Sequence, residues 1–157
     1  MENEIHFILR TEERPKPPKT IIQRFLGSLA EHDIDRALTL ARSFLAGIPY
    51  NTLRKKEDYN EHYYRTLLLL ICRFVTPYTV REEHANAVGR SDLLIETKDA
   101  IFCFEFKKKD SPDKAIQQID DKGYLIPFEA DNKKLYKIGV QFDFEIRTIG
   151  DWAIEEI

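Results

Sequence analysis

The chain has 157 residues, a net charge of −3, a pI near 5.8, 43% hydrophobic and 32% charged residues. That is enough for one domain with one core, and the balance excludes an intrinsically disordered chain. It also excludes the basic character usual in non-specific nucleic-acid binders, and the longest apolar run, Leu67–Cys72, is too short to span a membrane.

Residues 1–19 are polar and end in Arg14-Pro15-Lys16-Pro17-Pro18-Lys19, the composition of a flexible N-terminal arm. The start, MENEIHF, is not a signal peptide. Residues 20–55 read as a helical extension. Apolar residues at 21, 22, 25, 26 and 29 give one helical face. A second helix starts at Asp33 as N-cap and places Ile34, Ala37, Leu38, Ala41, Phe44 and Leu45 in its stripe, with Gly47 and Pro49 ending it. Residues 56–157 form the expected core. A helix over about Glu57–Phe74 stops before Pro77, and a strand follows near Tyr78–His84. Gly89–Lys107 gives two strands and a tight turn. Ser111 caps a helix over about Pro112–Lys122, Pro112 fits its first position, and Gly123 ends it. Leu135–Phe142 is the next strand, and an edge strand or tail around Trp152 closes the chain. The order from Glu57 is α-β-β-β-α-β. The right-handed crossover rule lays Leu135–Phe142 parallel beside Ala100–Lys107, giving a mixed central sheet with helices on both faces. Cys72 and Cys103 lie in apolar elements and read as reduced core residues of a cytoplasmic protein.

The Gly89–Lys107 hairpin carries the chemistry. With Lys98-Asp99 as a two-residue turn, Thr97 faces Ala100 and paired numbers sum to 197. Asp92 then lies across from Glu105, and directly opposed residues share a face. The strand period adds Lys107 to that face and sends Phe104 and Phe106 to the other. Two facing carboxylates repel unless a cation lies between them or one is protonated. Hard oxygen ligands of this kind suit Mg²⁺ or Mn²⁺. The alternative is a solvated amphipathic hairpin. Against it, Ile101 and Cys103 precede Glu105 on its own face, so the strand is apolar on both sides and central. The basic clusters Arg54-Lys55-Lys56, Lys107-Lys108-Lys109 and Lys133-Lys134 with Lys137 read as solvated faces or as phosphate tracks. His6, His32, His62 and His84 show no metal-ligand spacing.

The element order, with Asp92 and Glu105-x-Lys107, resembles the PD-(D/E)XK nuclease superfamily, and in particular a bacterial branch in which this module follows an AAA-ATPase-like domain. The stretches that carry the resemblance are ALTLARSFLAGIPY (37–50), EHYYRTLLLL (61–70), GRSDLLIET (89–97), FCFEFK (102–107), AIQQIDDKGY (115–124) and IGVQFD (138–143). The resemblance implies a restriction-endonuclease-like αβββαβ core. It implies Asp92 and Glu105 as metal ligands, Lys107 as the catalytic lysine and Mg²⁺ or Mn²⁺ as cofactor. Glu61 matches an auxiliary metal-binding acid, Gln118 a polar residue bordering the site, and Tyr124 a further contributor. The alternative for Glu61 is a solvent-facing acid near a helix start. For Gln118 and Tyr124 it is ordinary surface and packing work. No GxxxxGK[ST] occurs in the chain, so it reads as a stand-alone version or a piece of a longer protein.

The expected function is divalent-metal-dependent hydrolysis of phosphodiester bonds, with DNA as the nucleic-acid partner. The alternative is a non-catalytic interaction module that keeps the fold and serves an ATPase-like partner. A homodimer through residues 20–50 is compatible with both.

Overall fold

A computed structural model describes residues 19–48, 66, 79–85 and 90–157. The expected arm over 1–18, the Glu57–Phe74 helix apart from helical Thr66, and the Arg54-Lys55-Lys56 cluster lie outside the described residues.

Helix α1 (Ile21–Ala30) begins with a capping box. Thr20 accepts the Gln23 N–H and the Gln23 side chain accepts the Thr20 N–H. Helix α2 (Ile34–Ala46) is capped by Asp33, which accepts the Arg36 N–H. Between them His32 adopts φ 60°, a left-handed conformation that His tolerates better than most side chains. Five strands follow: β1 (Thr79–Ala85), β2 (Arg90–Glu96), β3 (Ala100–Lys107), β4 (Lys134–Asp143) and β5 (Thr148–Glu156). They lie in that order in one sheet. All neighbours are antiparallel except β3 and β4, which run parallel. The crossover between those two is helix α3 (Pro112–Asp121). Ser111 caps it, Pro112 starts it, and Gly123 leaves it at φ +58°.

The hairpin register is the one that the turn dictates. Leu93 faces Phe104, Ile95 faces Phe102 and Glu96 faces Ile101. The Thr97 N–H bonds the Ala100 carbonyl, and the Thr97 hydroxyl oxygen accepts the Ala100 N–H. The period of two then sorts β3 cleanly. Phe102, Phe104 and Phe106 join Leu93, Ile95, Ile138 and Val140 in a core covered by α1 and α2. Ile101 and Cys103 join Leu94, Leu135, Ile119, Tyr124 and Leu125 in a second core under α3. The strand is buried on both faces, as its sequence requires.

The first face is stitched by polar contacts as well as by packing. Trp152 donates its ring N–H to Asp35 at 2.9 Å, and the Thr148 hydroxyl donates to the Arg42 carbonyl at 2.7 Å. His32 reaches Tyr136 Oη from Nδ1 at 3.0 Å and Asp99 from Nε2 at 3.2 Å. Its ring also stands edge-on to Phe102 and Tyr136. Among the described residues, no helix is long and apolar enough to cross a membrane.

Phe104 is 2% exposed on the middle strand. Phe104→Ala is expected to cost about 3–5 kcal/mol in denaturant melts, the usual range for deleting a buried ring. A loss under about 1 kcal/mol would mean that the site is not close-packed.

Candidate active site

The site lies at the carboxyl end of β3, on the α3 face. Glu105 is 4% exposed there, at the end of the buried run of β3. Lys107 follows on the same face, half-buried. Their charged atoms are 3.8 Å apart. Gln118, two turns into α3, sits between them. Its amide nitrogen donates to Glu105 Oε1, and its amide oxygen accepts from Lys107 Nζ. The same nitrogen is 3.5 Å from Tyr124 Oη. One neutral side chain therefore links the acid to the ammonium.

Asp92 enters from β2. The β2–β3 register runs from Glu96 to Leu93, while β2 stays paired with β1 as far as Arg90. Beyond Leu93 the Phe106 N–H bonds the Asp92 carboxylate at 2.9 Å in place of a strand carbonyl. Asp92 is thus fixed by the sheet itself and stays partly open to solvent.

The electrostatics agree with this convergence. Burial pushes the Tyr124 phenol up; the Gln118 hydrogen bond opposes that and the charges of Glu105 and Asp92 add to it. Burial also pushes the Cys103 thiol up to about 12, with Ser91 opposing and the same two acids adding. Both groups stay protonated and neutral at ordinary pH. They form an uncharged wall behind the carboxylates.

Helix α3 is held close to the sheet by a missing side chain. A Cβ on Gly139 would stand 2.2 Å from the Pro112 carbonyl oxygen and 3.0 Å from the Ala115 methyl. Gly139 is the register partner of Glu105. The bare backbone at this position is what lets Gln118 reach the acid. The other end of α3 is tied by Lys137, which is 5% exposed and bonds Asp120 on α3 at 2.7 Å and Glu155 on β5. This corrects the reading of the Lys133-Lys134/Lys137 cluster as a solvated face or phosphate track in respect of Lys137. Half-buried Lys133 bonds Glu96 at 2.7 Å, while exposed Lys134 bonds Glu156 at the surface at 3.0 Å. Sequence reasoning missed Gly139 and Lys137. The only signal for either was the break in the apolar alternation of Leu135–Phe142.

As for the expected site residues, Glu105, Lys107, Gln118 and Tyr124 come together, and Asp92 is anchored beside Phe106 on the neighbouring strand. Glu61 lies outside the described residues. Among the described residues no group of three or more His, Cys, Asp and Glu side chains could hold a metal. Two carboxylates do match the sparse oxygen set with which Mg²⁺ binds, the remaining positions being water or phosphate oxygens.

Residues 59–152 match the family described as the PD-(D/E)XK nuclease superfamily. An uncharacterized protein in the vnfD 5' region of Azotobacter chroococcum mcd 1 is 25% identical over 147 residues. That alignment takes in 91% of this chain and only 28% of the relative, so the chain spans well under a third of its length. No solved structure matches.

Gly139→Ala is expected to cost about 1–3 kcal/mol, the range for overpacking a close contact. Denaturant melts measure it; an unchanged midpoint would mean that α3 does not rest on β4. A second expectation concerns alkaline pH. Burial opposes the Lys137 ammonium, but its bonds to Asp120 and Glu155 outweigh that and raise its pKa above the usual lysine value. A raised folded pKa gives stability that is complete below the unfolded value, about 10.4, and is lost as pH rises through the folded one. The raised phenols of Tyr124 and Tyr136 act in the same direction. Urea midpoints are therefore expected to fall above about pH 10.4, and Lys137→Met to flatten part of that slope. An unaltered slope in the variant would show that the ion pairs are not coupled to folding.

Proposed function

The chain belongs to the PD-(D/E)XK nuclease superfamily, and on that premise we propose that it is a divalent-metal-dependent nuclease that hydrolyses phosphodiester bonds, with DNA as its substrate. The observation that carries this reading is Glu105. An acid buried at the end of a core strand costs stability unless it is compensated, yet here it sits beside a lysine, with Asp92 anchored at the Phe106 N–H from the neighbouring strand.

Asp92 and Glu105 would hold Mg²⁺ or Mn²⁺, and Glu61 is the candidate for a third acid. Such a cation, when bound, supplies Lewis acidity toward the phosphodiester and its attacking water. The protein's own groups do the rest. The Phe106 N–H fixes the Asp92 carboxylate. The Gln118 amide orients Glu105 by donating to its Oε1. The Lys107 ammonium stands where charge grows on the attacked phosphate, the kind of placed cation that lowers such barriers. Tyr124, held neutral, adds a hydroxyl at the border without adding charge.

The test is cleavage of single-stranded, duplex and branched DNA, and of RNA, with Mg²⁺ or Mn²⁺. Asp92→Asn and Glu105→Gln are expected to abolish both cleavage and metal binding by calorimetry. Lys107→Ala is expected to lose about 10²–10³-fold in rate while still binding metal, because it removes a transition-state group and not a ligand. If no substrate is cut and no metal binds at millimolar concentration, the fold serves as a non-catalytic interaction module, with an ATPase-like protein as the partner to seek.

A further inference from the structure

A cleft of about 310 Å³ lies on the two N-terminal helices, lined along α1 by Lys19, Arg24, Gly27 and Glu31 and completed by Arg36 of α2. It follows α1 from Lys19, next to the Thr20 cap, to the Glu31 cap at the other end, along a helix of about 15 Å. Helices α1 and α2 cover the phenylalanine core, whereas Glu105 and Lys107 are bonded from α3. The cleft is therefore separate from the candidate active site.

Its charge is unbalanced. Lys19, Arg24 and Arg36 are exposed, and among the described residues no ion pair or hydrogen bond engages their side-chain charges. Glu31 is the one carboxylate of the lining, against those three cations. The acids that follow it in sequence are used elsewhere: Asp33 caps α2, and Asp35 accepts the Trp152 ring N–H. Gln23, also in the lining, uses its amide oxygen in the capping box, and its NH2 group remains a donor. The Ser28 hydroxyl donates to the Arg24 carbonyl at 2.8 Å and so belongs to its own helix.

Gly27 adds a separate sign of a ligand. It stands inside α1, where glycine is less favourable than any residue but proline. Packing does not call for it, because a Cβ there would meet nothing within 4 Å. A glycine is the residue that lets a ligand come close to the backbone. Cations without acid partners, around a floor kept free of side chains, suit an anion with several oxygens. The length of the cleft suits more than one phosphate group. We propose that this cleft binds phosphate groups, carried by a nucleic-acid backbone or by a free phosphorylated compound. Arg24 and Arg36 are the forked donors to the phosphate oxygens, and Lys19 is a further point charge. Glu31 bounds the site by repelling the next phosphate. Glu105 and Lys107 take no part, so this binding does not depend on the nuclease reading.

The experiment uses the full chain in EDTA, which removes metal-bridged binding at Asp92 and Glu105. Inorganic pyrophosphate, followed by calorimetry, and a short fluorescein-labelled single strand, followed by anisotropy, are the probes. Binding that weakens with salt is expected. Arg24→Ala and Arg36→Ala are each expected to make the salt dependence of strand binding shallower by about one phosphate contact, and Arg24→Lys and Arg36→Lys to restore the slope. Glu31→Gln is expected to tighten binding. Gly27→Ala is expected to raise the urea midpoint, because alanine favours the helix, and yet to weaken binding by filling the floor. A change confined to folding cannot produce that opposition. A strand bound more tightly than pyrophosphate, and displaced by it, identifies a nucleic-acid backbone. Pyrophosphate bound as tightly or more so identifies a free phosphorylated compound. If neither probe binds, if both arginine-to-alanine variants keep the native affinity and slope, or if Gly27→Ala binds undiminished, the cleft is not a phosphate site. The nuclease reading, tested by metal binding and cleavage, is untouched by that result.

Discussion

An acid buried on the middle strand of a sheet has to be held by charge and hydrogen bonds, because its desolvation otherwise outweighs what packing returns. Glu105 sets that demand here, and much of the α3 face is arranged to meet it. The Gln118 amide reaches it from a helix, and Lys107 from its own strand. Gln118 can do so only if α3 lies almost on the sheet backbone. The glycine facing Pro112 permits that approach, and the Lys137 ion pairs hold the far end of the helix. The left-handed Gly123 then turns the chain so that Tyr124 closes the border. These are consequences of one buried charge, distributed over two strands and a helix.

The opposite face fixes the register on which the site depends. A strand slipped by one residue would send every side chain of β3 to the wrong face. The turn end of the hairpin is held by Thr97 and by His32, whose hydrogen bond, more than any other influence, keeps the Asp99 carboxyl below its usual range. His32 sits between α1 and α2, so the two helices clamp the turn as well as covering the phenylalanines. The site end is held by the Asp92 bond to the Phe106 N–H. The pairing between Leu93 and Glu96 is thus secured at both limits.

Much of this was legible in the sequence, for physical reasons that differ from place to place. The sum of 197 followed from a two-residue turn, and local chain geometry leaves few alternatives to it. The doubly buried β3 followed from apolar residues on both parities. The helix starts at Asp33 and Ser111 followed from side chains that satisfy exposed N–H groups. What escaped was set by tertiary contact. Nothing in the local sequence says that His32, 104 positions from Tyr136, bonds its hydroxyl. Lys137 looks like any surface lysine until α3 and β5 bring Asp120 and Glu155 to it. Gly139 breaks an apolar strand for a reason visible only once the helix is in place. In the site, the shared face of Glu105 and Lys107 was readable from alternation, while the Gln118 bridge needed the crossover helix to be placed.

The Phe106 N–H bond gives position 92 two separate duties: a charge facing the site, and an oxygen that stands in for a strand carbonyl. Sequence drift would treat these differently. A descendant of this fold that had lost its chemistry would be released from the charge but not from the need for an acceptor, since a buried amide left without one is expensive. Asparagine keeps a carbonyl oxygen at the same reach, and alanine does not. Inactive copies should therefore accumulate asparagine at this position before any apolar residue, and a surviving oxygen there records an intact sheet rather than a working enzyme.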